Sequence, residues 1–111
     1  MNIRQVNDQV SVSEQIDTSH LQGILDNGTE LLICNRPDGE AEDQTDFEVI
    51  KTEAEKMGLE TQLLAFSSYQ ITNEARDEFV EILRTGKKIH LYCRTGSRSK
   101  RLWRAANEIC D

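Results

Sequence analysis

The sequence predicts an α/β fold: one compact domain, residues 1–111, built on a mostly parallel central sheet flanked by helices. Three observations predict it. Short continuous apolar runs of strand length recur, Leu31-Leu32-Ile33-Cys34 being the clearest, and such runs suit strands covered on both faces. Between the runs lie segments with apolar residues at helical spacing. The resulting order, β β α β α β α β α, is that of a sheet whose crossover connections are helices. The length of 111 residues is one domain's worth.

The elements follow in order. Ile3 to Val6 and Val10 to Val12 are β-type runs separated by Asn7-Asp8-Gln9, which predicts a hairpin or bent edge pair. Asp17, Thr18 or Ser19 can cap a short helix carrying Leu21, Ile24 and Leu25 on one face, ended by Asn27-Gly28. After the Leu31 strand comes a polar loop from Asn35 to Gln44. A second helix places Phe47, Ile50, Ala54 and Met57 on one side and stops at Gly58. Leu63 to Phe66 is expected to be the next buried strand, and Ser67 to Gln70 a loop. Thr72 caps a third helix with Ala75, Phe79, Ile82 and Leu83 inward, ended by Gly86. Lys88 to Tyr92 is the last strand. A final helix from about Ser99 is expected to bury Leu102, Ala106 and Ile109, with Trp103 partly covered.

The net charge of −7 argues against nonspecific binding to nucleic acid or an anionic membrane. No apolar run approaches the roughly 20 residues of a membrane span. Met1 to Gln5 lacks the apolar block of a secretory signal, and the chain is expected to be cytoplasmic. Cys34, Cys93 and Cys110 form no CxxC pair and no zinc spacing. No metal or cofactor is expected, and in a reducing compartment all three are free thiols. Cys34, in a buried strand, reads as a small core residue, and Cys110, next to the terminus, as inert. Of the 13 Lys and Arg residues, Arg84, Lys87, Lys88, Arg94, Arg98, Lys100, Arg101 and Arg104 bracket Cys93 with no Asp or Glu among them.

That cysteine opens the segment Cys93-Arg94-Thr95-Gly96-Ser97-Arg98-Ser99, between the end of a strand and the start of a helix. Loop amides and the unpaired amides of a helix's first turn can point into one concavity, and such a nest attracts an anion. Its first anion is the Cys93 thiolate, which the helix dipole and Arg98 are expected to favour, so that the thiol titrates below its ordinary value. Thiolate is the nucleophilic form. Gly96 permits the sharp turn. Arg98 offers a planar fork of donors to two oxygens of an oxyanion. Ser97 and Ser99 can donate to the sulfur or to a bound anion, and Arg94 and Thr95 face incoming substrate.

This loop resembles the active-site loop of rhodaneses, six residues opening with Cys and closing with Arg. It is similar, too, to the loop of protein tyrosine and dual-specificity phosphatases, which is one residue longer and has His before the Cys. Here Ser99 stands at the phosphatase Arg position and Tyr92 at the His position. Over nearly its whole length the chain resembles a small bacterial family, the phosphatase-like domain of β-lactamase hydrolase-like proteins, found alone or fused to hydrolases of the persulfide dioxygenase type. The Ile3-to-Val12 segment, the loop from Asn35 to Gln44 and the Cys93 loop carry that match. The resemblance implies a protein tyrosine phosphatase-like, dual-specificity phosphatase-like architecture and a biology of sulfide and persulfide handling, with such a hydrolase as a partner.

The short loop suits a single sulfane sulfur, so the leading expectation is sulfur transfer. Cys93 takes the outer sulfur of thiosulfate or a persulfide, and a thiol acceptor collects it. The alternative is phosphatase chemistry through a phosphocysteine, with Asp38 as general acid. A non-catalytic anion-binding module is third. Asp38, following Arg36-Pro37, reads equally as a turn residue, and Arg36 as a second pocket cation or an ion-pair partner. Glu40, Glu42, Asp43 and Asp46 read as a solvated acidic run, and His90 as facing away from Leu91 and not a ligand.

Overall fold

A computed structural model describes residues 1–67 and 71–109 of the protein. The elements are β1 (Arg4–Gln5), β2 (Val10–Ser13), a 3-10 turn (Thr18–His20), α1 (Leu21–Asp26), β3 (Leu31–Cys34), α2 (Phe47–Lys56), β4 (Glu60–Leu63), α3 (Asn73–Arg84), β5 (Ile89–Tyr92) and α4 (Ser97–Ile109). The strands form one sheet in the order β1-β2-β5-β3-β4. Among the described residues only the β1–β2 hairpin pair is antiparallel; β2–β5, β5–β3 and β3–β4 run parallel.

Alternation along the strands divides the core into two. Leu31 and Ile33 of β3, Ile89 and Leu91 of β5 and Val10 and Val12 of β2 pack with Phe79 and Leu83 of α3 and Leu102 and Ala106 of α4. Leu32, Cys34 and Tyr92 point to the other side, onto Leu21 and Ile24 of α1 and Phe47, Ile50 and Ala54 of α2. Burying each such side chain fully contributes about 1.5–3 kcal/mol. His90 shares this second face with Ser11 and Ser13 of β2. Its Nδ1 lies 2.7 Å from Ser11 Oγ and its Nε2 2.8 Å from Ser13 Oγ. The Ser13 hydroxyl already donates to the Glu14 carbonyl, so Nε2–H donates to Ser13 and Nδ1 accepts from Ser11.

Caps and turns follow local sequence. Asp17 accepts from the Ser19 amide, and Thr72 Oγ1 accepts from the Ala75 amide at 3.1 Å. Three predicted details differ. The fourth strand is Glu60–Leu63, not Leu63 to Phe66. It is the outer strand, so polar Glu60, Thr61 and Gln62 pair through backbone alone, while apolar Leu64 and Phe66 lie just beyond it and turn into the core. The last helix begins at Ser97, and Ile109 at its end is 48% exposed, because the helix overhangs the core beyond Ala106. Ser68 to Gln70 of the predicted loop, and Cys110, lie outside the described residues. No helix among the described residues is long and apolar enough to cross a membrane.

Candidate functional site

Parallel pairing of β3 with β5, Cys34 opposite Tyr92, brings the carboxyl ends of both strands side by side. Ligands of open α/β sheets sit beyond such ends. The β5 end delivers Cys93 and the β3 end delivers Asn35, Arg36 and Glu40. Asn35 ties the two ends together. Its amide donates to the Tyr92 carbonyl at 2.8 Å, its Nδ2 to the Leu64 carbonyl at 2.8 Å, and its Oδ1 accepts from Ser99 Oγ at 2.8 Å.

Cys93 is 1% exposed. Its Sγ accepts the Gly96 amide at 3.0 Å, made available because Gly96 turns the chain at φ +97°. Burial pushes the thiol up, but the Ser99 amide, the Ser99 hydroxyl and the Gly96 and Thr95 amides outweigh it and hold Cys93 below the ordinary thiol value. The Ser99 hydroxyl has one proton and two acceptors, Asn35 Oδ1 and the sulfur, so it can turn to the sulfur once the thiol ionises. Cys34 is the opposite case. Burial pushes its thiol up, and its Sγ donates to the Arg36 carbonyl. The fold makes Cys93 the more readily ionised thiol of the two and leaves Cys34 a core residue.

Arg98 is nearly buried and meets the carboxylate of Glu40, which the sequence alone places in a solvated acidic run. Its Nη2 donates to Glu40 Oε1 at 2.7 Å and its Nη1 to Glu40 Oε2 at 2.8 Å and to the Phe66 carbonyl at 3.0 Å. Arg36, also buried, donates through Nε to the same Glu40 Oε1 at 3.0 Å and through Nη1 to Gln15 Oε1 at 3.1 Å. The hydrogen bonds from Arg98, against the opposing effect of burial and with help from Arg36, hold the Glu40 carboxyl below its usual range. A cavity of about 230 Å³, lined by Glu40, Ser67, Arg94, Thr95 and Arg98, opens above the loop. A second, about 350 Å³, is lined by Arg36, Glu40, Ala41 and Arg94.

The structure therefore brings together Cys93, Arg94, Thr95, Gly96, Arg98, Ser99 and Arg36. Ser97 is exposed and its hydroxyl accepts from Thr95 Oγ1 at 3.1 Å, so it sits at the helix start beside the loop. Asp38 lines neither cavity, and one of its carboxylate oxygens is engaged in a helix cap. Its Oδ1 accepts the Phe47 amide at 2.9 Å, capping α2 from nine residues upstream, and its charge lies near Cys34 and Tyr92. The basic run around Cys93 does not converge in space either. Arg84 pairs with Glu81 and Lys87 with Glu60, Lys87 preceding the far end of β5, and Lys100, Arg101 and Arg104 are exposed. Among the described residues, the cations lining the cavities are Arg94 and Arg98 from that run and Arg36, while Arg4 lies behind the loop, its Nη2 donating to the Thr95 carbonyl at 3.0 Å. Sequence reasoning missed Glu40, Asn35 and Arg4. Only Asn35 carried a signal, a polar residue set directly after a buried strand.

Such an arrangement can stabilise a thiolate and then a bound oxyanion, through amides aimed at one point and a guanidinium beside it. Among the described residues, no group of three or more His, Cys, Asp or Glu side chains could hold a metal ion.

Comparison with known proteins agrees with this geometry. Residues 2–109 match the family described as beta-lactamase hydrolase-like protein, phosphatase-like domain. A Neisseria meningitidis protein described as a candidate phosphatase is 30% identical, with a TM-score of 0.84 over 93% of this chain and 74% of that one. A Shewanella putrefaciens protein, likewise described, is 15% identical, with a TM-score of 0.80 over 95% of this chain and 66% of that one, so this chain spans just under two thirds of its length. PTPMT1, solved in complex with PI(5)P, shares the fold at 12% identity and a TM-score of 0.71, over 96% of this chain and 80% of that one. No curated protein matches in sequence. These matches favour the phosphatase reading over sulfur transfer, and they place the architecture among protein tyrosine phosphatase-like folds. With its match running from residue 2 to residue 109, the chain belongs to the phosphatase-like domain family of beta-lactamase hydrolase-like proteins.

Proposed function

We propose that the chain is a cysteine-dependent phosphatase acting on phosphomonoesters. The observation that carries this reading is the Gly96 amide aimed at Cys93 Sγ at 3.0 Å, with the Ser99 and Thr95 amides also favouring the thiolate and Arg98 opening the following helix. The thiolate attacks phosphorus, the S–P bond forms as the P–O ester bond breaks, and the leaving oxygen keeps the electron pair. Loop amides and Arg98 take the charge of the equatorial oxygens. Water then attacks the phosphocysteine, releasing phosphate and returning the thiolate. Asp38 caps α2, so the leaving group departs without a protein acid in this reading. Aryl phosphates, whose oxygens leave readily as anions, are the favoured substrates.

One observation supports sulfur transfer as a second reading. Only four residues separate Cys93 from Arg98, and the donors of this small ring meet at a single sulfur atom. Thiosulfate or a persulfide would then be the donor, a thiol the acceptor, and a persulfide dioxygenase-type hydrolase a working partner. One paired assay separates the readings: phosphate release from an aryl phosphate beside thiocyanate formation from thiosulfate and cyanide, each with wild type and Cys93→Ser. Phosphate release that vanishes with Cys93, together with a phosphoprotein trapped by rapid denaturation and seen only in wild type, is the expected result. Cys93-dependent thiocyanate without phosphate release would replace the first reading by the second.

A further inference from the structure

The loop amides that face Cys93 are held from behind. A trans peptide is planar, so its C=O and N–H point in opposite directions. The Thr95–Gly96 peptide directs its N–H to Cys93 Sγ at 3.0 Å, and its carbonyl, on the far side, accepts from Arg4 Nη2 at 3.0 Å. The preceding peptide repeats the arrangement. The Thr95 amide helps to hold down the Cys93 thiol, while the Arg94 carbonyl accepts the Gln15 amide at 3.2 Å. Both outer contacts come from the N-terminal hairpin: Arg4 lies on β1, opposite Val12, and Gln15 follows β2 closely. The Arg4 guanidinium also lies against Gly96, where an added Cβ would sit 2.0 Å from Nη2. Gly96 is favoured by its positive φ, and the Arg4 guanidinium occupies the space its missing side chain leaves.

We infer that Arg4 is a positioning residue of the Cys93 loop: it holds the Thr95 carbonyl outward and so keeps the Gly96 N–H turned toward the nucleophile. Without that contact the peptide can rotate and present a carbonyl oxygen to the sulfur, which opposes both the thiolate and an incoming anion. Arg4 acts through the peptide and not as a charge facing the sulfur. Replacement of Arg4 is therefore read as a change in Cys93 titration, whatever the substrate.

The inference rests on Cys93 being the nucleophile, and its test is independent of turnover. The rate of Cys93 alkylation by neutral iodoacetamide, mapped by mass spectrometry, is followed against pH for wild type, Arg4→Gln, Arg4→Lys and Gln5→Ala. Arg4→Gln is expected to raise the midpoint by about one pH unit, a tenfold loss of thiolate below the midpoint. The shift persists in 0.5 M NaCl, and Gln5→Ala, on the same strand, leaves the midpoint in place. Arg4→Lys, which keeps charge and a donor but not the reach of the guanidinium over Gly96, recovers part of the shift; it carries the test should Arg4→Gln fold poorly. An unchanged midpoint in both Arg4 variants overturns the inference, as does a shift that salt abolishes, which would make Arg4 a distant charge. A wild type without phosphatase activity would sink the proposed reaction and still leave this profile to be read.

Discussion

Glu40→Gln is the perturbation that most directly probes how this site takes an anion. Glu40 places one carboxylate on two arginines, at 2.7 and 2.8 Å from Arg98 and 3.0 Å from Arg36, and it lines the cavity above the loop. It is ionised at neutral pH, since Arg98 holds its carboxyl low. An anion sharing Arg98 would lie about 5 Å away, where two like unit charges repel by about 0.8 kcal/mol in a water-like dielectric. A phosphate carrying one to two charges is therefore opposed by about 1–2 kcal/mol, and removing the Glu40 charge should tighten inorganic phosphate binding roughly 5- to 30-fold. The same change strips two nearly buried guanidiniums of their counter-ion. Glu40 is a quarter exposed, so we set the cost near the low end for charged hydrogen bonds, about 1–2 kcal/mol, which lowers Tm by roughly 4–8 °C in a domain of this size. The signature is thus two-sided: a less stable free protein with a stronger grip on phosphate, read by calorimetric titration and by the phosphate-dependent rise in Tm. Weaker or unchanged phosphate binding in a destabilised Glu40→Gln protein would refute the reasoning and leave Glu40 only the task of orienting Arg98.

Asp38→Asn keeps an oxygen for the Phe47 amide and removes the acid; hydrolysis of an aryl phosphate should stay within about twofold of wild type, whereas Asp38→Ala loses about 1 kcal/mol of stability in denaturant unfolding. A hundredfold fall in kcat for Asp38→Asn would return Asp38 to the acid role. His90 supplies a pH dependence. Burial lowers its titration to about 4, against 6.5 for a free imidazole, so between these values the unfolded chain binds a proton that the folded one refuses. The stability is therefore present above pH 6.5 and declines as pH falls toward 4, by up to about 3 kcal/mol over the window. Denaturant melts of wild type and His90→Gln should differ in pH slope by close to one proton there, and equal slopes would refute it.

Much of this site was legible because its chemistry is local. A cysteine at a strand end, a glycine three residues on and an arginine and serine opening a helix define the nest through backbone geometry alone, and the structure places Cys93, Gly96 and Ser99 accordingly. The alternation of apolar strands and helical stripes likewise led to the right sheet, because each element's buried face is written in its own spacing. The edge strand was misplaced because its ladder is made of backbone bonds that polar residues make equally well.

Residue order and spacing alone single out Cys93 as the candidate nucleophile, predict an α/β fold and set the Cys93 loop between a strand end and a helix start. What surrounds that thiol is a matter of three-dimensional packing. It set Glu40 on Arg98 across 58 residues, Arg4 behind the Thr95 carbonyl across 91, and Asp38 on α2 instead of the pocket. Local sequence records backbone turns and helix starts, where the partners are a few residues apart. It does not record which charged side chain meets which across the sheet, because that pairing is fixed by strand order and by the cost of leaving a buried charge without a partner.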